Sequence, residues 1–118
     1  MGDSRMKVNN DFVFETAELE QNEELEVVAW AENHGWIVRK IQYIGRRGCP
    51  DRLFGGYGRL FLIEMKRPAM RKKKGGGLSK GQVDEITAFA SAGIEIKVFY
   101  TGAEAIGFLR QHTDDLLV

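Results

Sequence analysis

Asp51-Arg52-Leu53-Phe54-Gly55-Gly56-Tyr57-Gly58-Arg59-Leu60-Phe61-Leu62-Ile63-Glu64-Met65-Lys66 is the stretch that decides how this chain folds. Two apolar, β-prone arms flank a glycine-rich centre, which is a strong hairpin signal. Asp51 to Phe54 reads as the first arm and Arg59 to Lys66 as the second. Pro68 ends the second arm, because proline has no N–H to give to a ladder. Side chains alternate along a strand, so Glu64 and Lys66 share one face while Ile63 and Met65 take the other. With the turn centred near Gly56 and Tyr57, Asp51 falls opposite Arg59 to Leu62, within a residue or two of Glu64. Both carboxylates can then reach one ion. The plainer alternative is a Glu64–Lys66 ion pair near a strand end, which would contribute little.

Working outward, Trp36 to Ile44 has the β-branched and aromatic content of another strand. Glu18 to His34 is built of helix formers, with Leu25, Val28 and Ala29 at helical spacing and Gly35 as the stop. Residues 1–17 form an arm without clear period. Gly45-Arg46-Arg47-Gly48-Cys49-Pro50 is a basic turn. On the other side, Arg71-Lys72-Lys73-Lys74-Gly75-Gly76-Gly77 has the composition of a mobile loop. Ser79 and Gln82 make a capping box for a helix running to about Ala92. Ile94 to Tyr100 alternates as a strand, and Thr101 with Glu104 caps a last helix carrying Ala105, Ile106, Phe108 and Leu109. The order α-β-β-β-α-β-α is an α/β arrangement, a mixed central sheet flanked by helices. One domain over residues 18–110, with a tail at 111–118, accounts for the 118 residues.

The formal net charge of zero conceals a segregation. From Arg39 to Lys80 there are thirteen Lys and Arg against two acids, a net of +11; the remainder carries four basic residues against fifteen acids. A block this basic points to a polyanionic partner. The two acids inside it are Asp51 and Glu64, and metal ligation is a natural reason for them to be there. A solvated basic face with two incidental acids is the rival explanation. One cysteine, Cys49, excludes an internal disulfide and any multi-cysteine cluster. No apolar run approaches the roughly 18 residues of a membrane helix, and the N-terminus shows no apolar signal core. Met6 stands where a myristoylation signal needs Ser or Thr. The expectation is a cytoplasmic protein with no membrane partner.

Two carboxylates beside a lysine suit phosphodiester hydrolysis, where a hard cation neutralises charge and activates water. Here the motifs meet a resemblance. Cys49-Pro50-Asp51 followed by Glu64-Met65-Lys66 is similar to the Pro-Asp…Glu-x-Lys signature of restriction-endonuclease-like nucleases. More narrowly, residues 45–54, Phe61 to Pro68 and Leu78-Ser79-Lys80-Gly81-Gln82 resemble the virus-type replication-repair nuclease (VRR-NUC) domain, over roughly Glu20 to Leu109. The resemblance implies a restriction-endonuclease-like fold and an Mg²⁺- or Mn²⁺-dependent deoxyribonuclease of viral, phage or bacterial origin. It implies Asp51 and Glu64 as metal carboxylates, the Met65 backbone carbonyl as a further ligand, and Lys66 as the catalytic lysine. It also implies a first-helix glutamate at the site. Glu20 fits the family interval to Gly35 best and shares a face with Val27 and Ala31, with Glu24 and Glu23 as fallbacks. Gln82 matches the family's glutamine on the following helix, although the capping box already occupies it.

Arg71, Lys72, Lys73 and Lys74 are expected to grip phosphates, a sequence-blind and salt-sensitive contact. Arg46, Arg47, Arg67 and Lys80 are candidates for the same work; Arg46 and Arg47 could equally be plain surface charges. His34, beside the helix-ending Gly35, reads as a cap. Gly75 to Lys80 lacks the Gly-Lys-Ser/Thr order of a phosphate loop. No helix is rich in Arg, Asn and Gln as a base-reading helix would be. The expected function is DNA endonuclease activity; the resemblance implies branched DNA such as Holliday junctions as the substrate, in DNA repair or recombination, and a homodimer would supply two centres to cut two strands. A non-catalytic nucleic-acid-binding module on the same fold is the alternative.

Overall fold

The computed structural model describes residues 22–114. Helix α1 occupies residues 22–33 of these, followed by β1 (Ile37–Lys40), β2 (Arg52–Gly56), β3 (Arg59–Met65), α2 (Lys80–Ser91), β4 (Ile96–Phe99) and α3 (Gly102–Arg110). The strands form one sheet in the order β1-β2-β3-β4; the first three are antiparallel neighbours and β4 runs parallel to β3. The mixed α/β architecture and the element order read from the sequence are both present. None of the described helices is long and apolar enough to cross a membrane.

Alternation along the strands sends Val38, Phe54, Ile63 and Met65 into one core, where they meet Val27 and Ala31 of α1 and Ala105 and Leu109 of α3. Burying such side chains contributes roughly 1.5–3 kcal/mol each. The face of α1 that is buried is therefore not the expected one: Leu25 is half exposed, and Val27 and Ala31 carry the contact. His34 caps the helix as expected, its Nδ1 lying 2.7 Å from the Trp30 carbonyl.

The hairpin turn is Tyr57-Gly58, one residue further along than the sequence suggested, with Gly56 paired to Arg59. Both turn residues have positive φ (54° and 76°), the conformation of a type I′ turn, whose twist matches that of the strands. Glycine takes this conformation freely, but tyrosine does not. Tyr57 is held there by its hydroxyl, which donates to the His34 carbonyl, and by its edge against Trp36, centroids 5.3 Å apart. The shift has a useful consequence. Arg52 pairs with Ile63, so Asp51, one residue before, lies opposite Glu64 itself and not opposite Arg59 to Leu62.

The first and last strands are shorter than their composition suggested, because the chain leaves the sheet after Lys40 and joins β4 only at Ile96. The expected mobile loop is also built: two 3₁₀ turns, Pro68–Lys72 and Lys74–Gly77, fold it back on itself. Tyr100 donates its hydroxyl to the Gly76 carbonyl at 2.8 Å and so pins the loop to the end of β4.

Candidate active site

Strand pairing places Asp51 and Glu64 side by side where β2 begins and β3 ends. Two backbone contacts interlock them. The Met65 N–H donates to Asp51 Oδ2 at 2.8 Å, and the Asp51 N–H donates to the Glu64 carboxylate. Lys66 follows directly, half-buried, its backbone N–H tied to the Phe99 carbonyl at 2.9 Å. Its charge acts on both carboxylates and favours their ionised forms.

Glu64 is only 5% exposed. Burial, and after it the charge of Asp51, pushes its carboxyl up to about 8, against the pull of Lys66. Burial also raises Asp51, opposed by the Met65 N–H. A carboxylate whose ionised form is this costly has an uncompensated need for positive charge that one lysine does not meet. The donor chemistry is hard oxygen from two acids, which suits Mg²⁺ or Mn²⁺ with several retained waters. Among the described residues, no group of three or more His, Cys, Asp or Glu side chains is gathered for a metal, so a closed cage of the zinc type does not fit.

Among the described residues, the first-helix glutamate whose charge reaches the site is Glu24. Its negative charge acts on both Asp51 and Glu64, and its Oε1 accepts from Arg52 Nε at 2.9 Å. Glu23 turns away and accepts from the Gly102 N–H at 3.2 Å. Glu20, the expected residue, lies outside the described residues. Gln82 performs both of the tasks between which its sequence context was divided. Its Oε1 accepts from the Ser79 N–H in the capping box, and its Nε2 donates to Glu64 Oε1 at 2.9 Å. The Met65 side chain is buried in the core, so its backbone is what borders the site.

Several basic residues already have partners. Arg46 pairs with Glu85 at 3.3 Å, and Lys80 with Asp84 at 2.9 Å. Arg71 pairs with Glu104 and stacks over the Tyr100 ring at 5.0 Å. Lys72, Lys73 and Lys74 are exposed on the loop, while Arg67 is half-buried near Lys66 in sequence. Arg46, Arg47, Lys80, Gly81, Asp84 and Glu85 line a cleft of about 340 Å³ on the α2 side. Sequence reasoning missed Glu85: one buried acid on a polar helix face carries no pattern by itself.

Gly48 fixes how closely the segment before Asp51 approaches α2. It has φ +86°, and a Cβ there would lie 2.2 Å from the Gly81 carbonyl oxygen. Gly48→Ala is therefore expected to lower stability by on the order of 1–3 kcal/mol or more, seen as a lower urea midpoint at unchanged slope. An unchanged midpoint would show that the contact is loose.

A solved structure described as "VRR_NUC domain" is similar to this chain at 24% identity, with a TM-score of 0.64, over 77% of this chain and 94% of that one. The likeness shows that the chain has the VRR-NUC fold. No family model matches the chain, nor does any curated protein.

Proposed function

We propose that this VRR-NUC fold is a metal-dependent DNA endonuclease whose reacting centre is Asp51, Glu64 and Lys66. The observation that carries the reading is the pairing of Asp51 with Glu64 at one end of the hairpin, in a basic stretch, with Lys66 beside them. Asp51, Glu64 and the Met65 carbonyl would hold Mg²⁺ or Mn²⁺, with a first-helix glutamate at the edge: Glu20, or Glu24 among the described residues. Bound there, the cation would neutralise the charge developing at phosphorus and acidify a water.

The chain's own groups do the rest. The Met65 N–H and Gln82 Nε2 fix the two carboxylates in orientation, so that little reorganisation is left for the reaction. Lys66 brings an ammonium to the same place, where it stabilises the pentavalent oxyanion or orients the attacking water. Lys72, Lys73 and Lys74 grip the DNA backbone without reading sequence. Arg71, held by Glu104 and Tyr100, braces their loop, and Arg47, Arg67 and Lys80 flank the path. Branched DNA such as a Holliday junction suits a small domain acting as a homodimer, since two centres then cut two strands. That substrate places it in repair or recombination, within the cytoplasm of a cell or an infected host.

Linear, flap and four-way DNA incubated with Mg²⁺, Mn²⁺ or EDTA test the proposal. Cleavage with either metal, none in EDTA and a preference for the four-way junction are expected. Cutting that survives EDTA would overturn the metal reading, and equal rates on all three substrates would remove the junction. Changing Lys72, Lys73 and Lys74 together to Gln should make the log–log salt dependence of DNA binding shallower by roughly two to three. A slope equal to that of the unmodified chain takes the loop out of the DNA path.

A further inference from the structure

Glu85 lies one helical turn beyond Gln82 on α2 and is only 5% exposed. A carboxylate buried this far needs polar partners. Both of its partners come from the segment that leads into Asp51. Arg46 Nη2 is 3.3 Å from Glu85 Oε1, and the Tyr43 hydroxyl hydrogen-bonds to the same side chain. Burial and that bond push the Tyr43 phenol up to about 12. Two residues after Arg46, Gly48 rests on the backbone of Gly81, too close for any side chain between them. The segment's link to the sheet is the Ile41 N–H, which donates to the Asp51 carbonyl at 3.1 Å. Between those two ends, Tyr43, Arg46 and Gly48 all meet α2.

We propose that Glu85 is a positioning residue: by clamping Tyr43 and Arg46 to α2 it sets Asp51 against Glu64, whose carboxylate the same helix holds through Gln82. The proposal rests on the reading of Asp51 and Glu64 as a metal pair. It divides two adjacent arginines. Arg46 lines the cleft too, but its guanidinium is taken up by the buried Glu85, through which it acts. Arg47 makes no ion pair among the described residues and faces the cleft beside Lys80, where a phosphate of the DNA would meet it.

Mn²⁺ binding to the whole chain, measured by calorimetry without DNA, reads the clamp independently of cleavage. Glu85→Gln is expected to weaken Mn²⁺ about tenfold, the loss typical when a group that orients metal ligands is removed. At saturating DNA its turnover should fall by a similar factor, with KM within about twofold of the original. Arg46→Met should show the same signature and Arg46→Lys should recover part of it. Arg47→Met should instead raise KM and leave Mn²⁺ affinity alone. The Arg46 side chain is 67% exposed, so its variant folds and decides the matter if Glu85→Gln does not. Unchanged Mn²⁺ affinity in Arg46→Met, with a flattened salt dependence of DNA binding, would overturn the clamp and make Arg46 a plain DNA contact. A wild-type chain that binds Mn²⁺ yet cuts no DNA would sink the nuclease reading, while the ratio of Mn²⁺ affinities would still decide the clamp.

Discussion

Asp51→Asn is expected to lower DNA cleavage by on the order of a thousandfold or more, while DNA affinity in EDTA stays within about a factor of two. Asn keeps the shape of the side chain and still accepts the Met65 N–H, so the hairpin end survives. It removes one of the two negative charges facing the ion, and with it the hold on the cation. Lys66→Ala should do comparable damage by a different route, because the cation still binds and the ammonium is lost. Binding should survive in both variants, because the phosphate grip proposed for the basic loop and the cleft is touched by neither change. Cleavage by either variant at the unmodified rate would remove that residue from the reacting centre.

Much of this site was legible from one hairpin. Glu64 and Lys66 stand two apart on a strand, and a glycine-rich turn brings a preceding aspartate back to them. That follows from period two and antiparallel pairing alone. What escaped was the position of the turn. The positive φ at Tyr57 is not a choice tyrosine makes, and it depends on a hydroxyl contact to the His34 carbonyl across 23 positions. The register followed the turn, and moved Asp51 from near Glu64 to opposite it. The first-helix acid was uncertain for a related reason. Helical spacing offers Glu20, Glu23 and Glu24 alike, and only the placement of α1 on Arg52 and Gly102 separates Glu24 from Glu23. The loop at 71–77 carries more local structure than its composition suggests. Three glycines in a row suggest freedom, yet each has positive φ in a fixed turn, and the phenol that pins the turn comes from Tyr100. Each miss is a long-range contact that no local pattern contains.

Glu64→Gln should have opposite effects on stability with and without metal. In EDTA the native protein carries a carboxyl raised to about 8, whereas the unfolded chain has the ordinary value of 4.5. The folded state thus takes up a proton more readily, and the stability gained from that proton is present below pH 4.5 and lost as the pH rises through about 8. The raised Asp51 works in the same direction. Gln stands in for the protonated form at every pH. The variant should therefore match the original near pH 4.5 and exceed it above pH 8, by on the order of 2–4 kcal/mol, as a higher urea midpoint. Excess Mg²⁺ should reverse the order, because it stabilises only the chain that binds it. A Gln variant no more stable at pH 8.5 than at pH 5, relative to the original and both in EDTA, would mean that Glu64 is not buried beside a second negative charge.

The most direct measurement is a crystal grown with MnCl₂ and examined at the manganese absorption edge. The account predicts an anomalous peak between Asp51 and Glu64, within about 2.2 Å of an oxygen from each, with the Lys66 ammonium nearby. Carboxylates turned apart, with no peak between them at saturating manganese, would contradict it and leave a DNA-gripping scaffold without a cutting centre.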